Sequence, residues 1–128
     1  MILGIGTDIV ETSRVARAIC NPRFLEKCYT ATEIDRCNSH TATARQKFAG
    51  YFAAKEAIAK ALGTGFRGFL PRDIEICHDS QGKPTVRLSE NISIPKKCTI
   101  LISISHEEQF ATAFAVIQGG DADASKYT

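Results

Sequence analysis

The sequence predicts an α+β domain in which an antiparallel sheet packs on a long central helix. The stretch "TARQKFAGYFAAKEAIAKAL", about Thr43 to Leu62, is filled with strong helix formers. The second half of the chain switches to the period-two alternation of strands. With 128 residues and 44% hydrophobic content there is material for one core and none for a second domain. Residues 1–118 are therefore read as a single domain. The tail "GGDADASKYT", residues 119–128, has no apolar periodicity and is expected to be mobile.

The elements follow in order. Residues 2–9, rich in Ile, form a strand, and "ETSRVARAI" continues as a helix with Val15, Ala18 and Ile19 on one side. In "TATEIDRC", Thr30 stands three residues before Glu33, a capping box that opens a short second helix ending near Asn38. In the long helix that comes next, Gly63 is the C-terminal cap, and Gly50, which costs about 1 kcal/mol relative to Ala, marks close packing. "GTGFRGFLP" is a glycine-rich loop. "DIEICHD", "PTVRLS", "CTILISIS" and "FATAFAVIQ" are strands of an antiparallel sheet, with "SQGK" as the turn between the first two.

Bulk properties exclude several function classes. Sixteen Lys and Arg against fourteen Asp and Glu leave a charge of +2, too balanced for a dedicated nucleic-acid binder. No apolar stretch approaches the ~20 residues that span a bilayer, and the N-terminus lacks the basic start and cleavage site of a secretory signal. A cytoplasmic location without membrane association is expected. Cys20, Cys28, Cys37, Cys77 and Cys98 are odd in number, scattered and without a C-x-x-C pair, so they are read as reduced packing residues.

Asp8 raises the first question of chemistry. On strand parity it shares a face with Gly4 and Gly6, whose missing side chains leave backbone exposed beside a carboxylate. Two readings are open: Asp8 caps the following helix, or it ligates a metal. Glu56 and Lys60 lie four apart and face the same way, with Phe52 and Gly63. They are either an ordinary exposed ion pair or charged groups on a largely buried helix that require a partner. Two carboxylates and a lysine beside a glycine-rich loop suit Mg²⁺ and a phosphate, because Mg²⁺ takes one or two carboxylates and completes its shell with water and phosphate oxygens. His106, in "ISISHEE", is in phase with Ile100, Ile102 and Ile104, and is either a turn residue or a titratable group for catalysis. Arg14 and Arg17 stand opposite Val15, Ala18 and Ile19, with Arg23 beyond. They form either a solvated face or a dock for an acidic protein.

Together, "GTDIVETSRV", "FAGYFAAKEAIAKALGTG" and "SISHE", supported by "YTATE", "DIEI" and "GKP", resemble the small holo-acyl-carrier-protein synthases. These are the short, single-domain class of 4′-phosphopantetheinyl transferases, and the resemblance runs from "GIGTDIVE" to "FAVIQ". It implies a 4′-phosphopantetheinyl transferase-like fold and a homotrimer with coenzyme A bound between subunits. The implied reaction is Mg²⁺-dependent transfer of the phosphopantetheine arm of coenzyme A to a serine of apo acyl carrier protein, releasing adenosine 3′,5′-bisphosphate, in fatty acid biosynthesis. By motif position Asp8 and Glu56 correspond to the carboxylates of the Mg²⁺ site, Lys60 to a pyrophosphate contact and His106 to the active-site histidine near the cofactor phosphates. Gly63, Lys83 and Pro84 join Lys60 and His106 in binding coenzyme A, while Arg14, with Arg17 and Arg23, meets the acidic carrier protein. Under this resemblance Asp8 is a ligand rather than a cap. Glu56, a water near the metal and His106 stay open as the proton acceptor.

One residue departs from the family pattern. Many relatives read "AGRFAAKEA" where this chain has "AGYFAAKEA", so Tyr51 removes an arginine from the coenzyme A region, with Arg45 or Lys47 as candidate replacements. Two other functions stay in view: a non-catalytic coenzyme A or nucleotide-binding module, and a transferase acting mainly on polyketide or peptide-synthetase carrier domains.

Overall fold

A computed structural model describes residues 1–120. The chain opens with β1 (Ile2–Glu11), α1 (Thr12–Ala18), α2 (Pro22–Cys28) and α3 (Ala31–Asn38). A 3₁₀ turn (Thr41–Thr43) leads into α4 (Ala44–Leu62), and a second (Pro71–Asp73) into β2 (Ile74–His78), β3 (Pro84–Leu88), β4 (Thr99–His106) and β5 (Phe110–Gln118). The expected mobile tail lies, from residue 121 onward, outside the described residues; before it, the Gly119 amide donates to the Met1 carbonyl at 2.7 Å.

The strands form two antiparallel sheets, where one was expected from the second half. The larger has the order β1-β5-β4, and β2 pairs only with β3. The reason is length and inward lining: β1, β4 and β5 run for eight to ten residues, while β2 and β3 have five each. On the face toward α4 the rows across the larger sheet read Gly6–Ala115–Ile102, Asp8–Ala113–Ile104 and Val10–Ala111–His106.

Helix α4 lies on this face with Ala53, Ala57 and Ala61 buried against Ala111, Ala113 and Ala115. Small residues on both sides bring helix and sheet close. A methyl on Gly4 or Gly6 would run into the carbonyls of Ala61 and Ala57, so the room beside Asp8 on that strand is filled by helix. Gly50 serves the same closeness at the other edge, where a methyl would stand 3.0 Å from Ile104 Cγ2. Gly63 ends α4 at φ 81°, the left-handed cap conformation.

The capping box at Thr30 forms as expected: the Thr30 hydroxyl accepts from the Glu33 amide at 3.3 Å, and Glu33 Oε1 accepts from the Thr30 amide at 2.9 Å. It opens the third helix, not the second, because Asn21 caps an additional helix with Pro22 in its first turn. Glu33 does more than cap. Lys55 reaches from α4 into the core and donates to Glu33 Oε1 at 2.7 Å and to the carbonyls of Ile74 at 2.7 Å and Pro71 at 3.2 Å. Glu33 Oε2 accepts from the Ile76 amide at 2.8 Å, so one buried pair ties α3, α4 and β2 together.

Candidate active site

Asp8 projects from β1 toward α4. Its Oδ1 accepts from Lys60 Nζ at 3.2 Å, and Lys60 also donates to the Thr7 carbonyl at 2.9 Å. Its Oδ2 is buried and has no hydrogen-bond partner among the described residues. A carboxylate oxygen withdrawn from water without a donor is costly, which marks a place for a cation or donor from outside the chain. The cap reading of Asp8 fails. Strand β1 continues three residues further, Glu11 is the residue before α1, and the Thr12 amide donates to the Gln109 carbonyl at 2.8 Å.

Glu56 completes the cluster from α4. Burial pushes its carboxyl up, the charge of Asp8 pushes it further, and Lys60 works the other way. Asp8 and Glu56 line one cavity of about 660 Å³ with Arg14, Phe24 and Phe52. Among the described residues no group of three or more His, Cys, Asp or Glu is arranged around a metal position. Two carboxylates, one with an orphaned oxygen and one disfavoured in its charged form, nonetheless fit Mg²⁺, which draws its remaining ligands from water and substrate phosphates. Lys60, its side chain 55% exposed, has three donors and commits two of them within the chain.

His106 is not part of this cluster. It is the last residue of β4, with Nδ1 2.9 Å from Gln46 Oε1. Strand β5 separates its edge of the sheet from that of Asp8, two strand spacings or roughly 10 Å. His106 lines a second cavity, about 440 Å³, with Pro84 and Tyr51, and no residue lines both cavities. Lys83 is exposed on the β2–β3 turn, its amide held by Asp79 Oδ1 at 2.9 Å, and Gly63 lines neither cavity. Arg14, Arg17 and Arg23 are all exposed on α1 and α2; Arg14 borders the Asp8 cavity and Arg17 an apolar groove with Leu25 and Phe48.

The family model described as the 4′-phosphopantetheinyl transferase superfamily matches residues 4–115. The chain belongs to this superfamily. Among curated transferases, the holo-[acyl-carrier-protein] synthase of Clostridium beijerinckii is 47% identical over 122 residues, covering 92% of this chain and 98% of the relative. That of Thermoanaerobacter sp. strain X514 is 44% identical, covering 98% and 94%. Among solved structures, a holo-(acyl-carrier-protein) synthase from Bacillus anthracis in complex with CoA (3′,5′-ADP) superposes with a TM-score of 0.80 at 34% identity, covering 94% of this chain and 99% of that one. The Helicobacter pylori synthase in complex with coenzyme A gives 0.74 at 32% identity, covering 89% and 99%. The resemblance read in the sequence, the α+β fold and the enzyme class all stand.

Within this transferase, the surroundings of Tyr51 hold what sequence reasoning missed. Tyr51 is buried, and its hydroxyl lies 2.7 Å from His78 Nε2, while His78 Nδ1 lies 3.1 Å from the Gly82 carbonyl. Of the two candidate replacements for the absent arginine, Lys47 lines this cavity and Arg45 lines others. Arg36 lines it too. His78 had a signal, since it follows Ile74 and Ile76 in phase along β2. Arg36 had none, because a lone arginine on a short amphipathic helix reads as solvated.

Proposed function

We propose that this transferase moves the 4′-phosphopantetheine arm of coenzyme A onto a serine hydroxyl of apo acyl carrier protein. Adenosine 3′,5′-bisphosphate is released, and the step belongs to fatty acid biosynthesis in the cytoplasm. The observation that carries the reading is the buried, unpartnered oxygen of Asp8 beside Glu56 and Lys60. The carrier protein in the relatives' names and the coenzyme A in the Bacillus anthracis and Helicobacter pylori structures support the two substrates.

Asp8 and Glu56 would hold Mg²⁺, which when bound neutralises charge on the pyrophosphate and on the leaving group. The serine oxygen forms a bond to the phosphorus that carries the pantetheine arm. The bond from that phosphorus to the bridging oxygen breaks, and its electron pair leaves with adenosine 3′,5′-bisphosphate. Glu56 takes the serine proton on a carboxylate oxygen; burial and Asp8 raise the basicity of this carboxylate above an ordinary glutamate, and Lys60 works against that rise. Lys60 gives its uncommitted N–H to a phosphate oxygen. Arg14, Arg17 and Arg23 present positive charge to an acidic carrier.

The proposal includes a homotrimer. The sheet face turned away from α4 exposes Ile5 at 60%, Ile9 at 66%, Leu101 at 42% and Phe114 at 46%, an apolar surface suited to burial against further copies. In such an assembly the His106 and Pro84 cavity of one copy would serve the carboxylate cavity of a neighbour. Light scattering on the eluting protein tests this directly.

The reaction is tested by intact-mass analysis of apo acyl carrier protein incubated with the enzyme, coenzyme A and Mg²⁺, beside an EDTA control and a peptide-synthetase carrier domain. A phosphopantetheine-sized gain on the acyl carrier protein, lost with EDTA and with Glu56→Gln, is expected. Coenzyme A binding without any gain would instead indicate a non-catalytic module.

A further inference from the structure

The charged groups of the second cavity are all basic, set among uncharged residues such as Tyr51, Pro84 and Ile104. Its lining includes Arg36, Lys47 and all three histidines of the chain, His40, His78 and His106, and among the described residues no Asp or Glu. Nη1 of Arg36 is buried and has no hydrogen-bond partner among the described residues. A guanidinium nitrogen withdrawn from water with nothing to donate to is an unmet demand for an acceptor.

The groups beside it are fixed. A carbonyl only accepts, so the His78 contact with Gly82 places a proton on Nδ1, and Nε2 on the other side of the ring meets the Tyr51 hydroxyl. Burial pushes the Tyr51 hydroxyl up, and a side-chain hydrogen bond with the Arg36 guanidinium works against that rise, so the unmet demand is that of Nη1 and not of the whole group. The end of α3 is pinned as Ser39 Oγ donates to the Arg36 carbonyl at 2.7 Å. Arg36 therefore stands in a preorganised wall.

We infer that Arg36 binds a phosphate monoester in this cavity, with Lys47 adding charge. The inference rests on the proposed donor, since coenzyme A carries such a group on its ribose, apart from the pyrophosphate that reacts. A planar guanidinium matches the oxygens of a dianionic phosphate in two parallel hydrogen bonds. A cavity of about 440 Å³ is within the range of small-molecule sites. In this chain α4 offers Tyr51 at the wall, and the guanidinium arrives from α3.

The test is calorimetric binding of coenzyme A and of dephospho-coenzyme A, which lacks the monoester, to the full chain with Mg²⁺ and no carrier protein. The unsubstituted protein is expected to favour coenzyme A by about tenfold or more, the size of one charge-assisted contact. Arg36→Gln should abolish most of that preference while leaving dephospho-coenzyme A within about twofold, and Arg36→Lys should retain part of it. Equal affinity of the unsubstituted protein for the two ligands, or no binding of either, overturns the inference even if Arg36→Gln fails to fold. So does a folded Arg36→Gln that keeps the preference or loses both ligands alike. The transfer reading fails separately: a protein that discriminates the two ligands through Arg36 yet adds no mass to the carrier leaves this site standing.

Discussion

Lys55 Nζ lies 2.7 Å from Glu33 Oε1 with both side chains wholly withdrawn from solvent. Burial pulls the Lys55 ammonium down, and the Glu33 carboxylate, at hydrogen-bond distance, works the other way. Removing one partner leaves the other charge buried and unpaired. Lys55→Met should therefore destabilise the fold by about 3–5 kcal/mol in urea titration. Adding Glu33→Gln, which removes the stranded charge and keeps an acceptor for the Ile76 amide, should recover part of the loss. A Lys55→Met cost near that of a surface substitution, about 0.5 kcal/mol, would refute this account of the core.

Gly6 and Gly63 separate two uses of glycine. A methyl on Gly6 meets the Ala57 carbonyl of α4, backbone against backbone, while one on Gly63 meets nothing but requires φ 81°. Gly6→Ala should cost about 3 kcal/mol or more by overpacking, and Gly63→Ala about 1 kcal/mol through the cap. Thermal melts of the two variants rank them, and the opposite order would show that α4 shifts easily on β1.

Lys60 should matter for activity and little for stability. Its side chain is 55% exposed, so the pair with Asp8 contributes at most about 1 kcal/mol to folding. Lys60→Ala should melt within a few degrees of the unsubstituted protein yet lower kcat for transfer by about 10²–10³-fold. Unfolding by this substitution would make Lys60 a structural residue.

The buried thiols give a pH signature. Burial pushes Cys28 up to about 11 and Cys37 up to about 12. At pH 8 their thiolate fractions are about a hundredfold or more below that of an ordinary thiol, so iodoacetamide should label exposed Cys20 first and these two only in denaturant. The folded values lie above the ordinary 9.0, so their contribution to stability is complete below pH 9 and is lost as pH rises toward about 11 to 12. Urea midpoints from pH 8 to 11 should fall, and fall less in Cys28→Ala.

The sequence was legible where the signal is local. Thr30 and Glu33 form their capping box three residues apart, and the helix formers up to Gly63 mark α4 to within a residue at its start. Helix α2 was overlooked although Asn21 and Pro22 advertise its start. Asp8, Glu56 and Lys60 were legible as a group only through family motifs, since neither strand parity nor helix spacing says that β1 and α4 meet.

By itself the sequence determined the α+β class, the long helix, the strand segments and the residues with the chemistry for a cation and a phosphate. These depend on backbone propensity and on periodicity within a few turns. Only the tertiary structure decided that β5 pairs with β1 and β4 while β2 and β3 stand apart, and that α4 fills the space over Gly4 and Gly6. It also decided that Lys55 finds Glu33 across 22 residues, and that His106 lies a sheet-width from Asp8 beside Arg36. Those choices turn on which distant surfaces match in size and charge once buried, and no local window of the chain contains both partners.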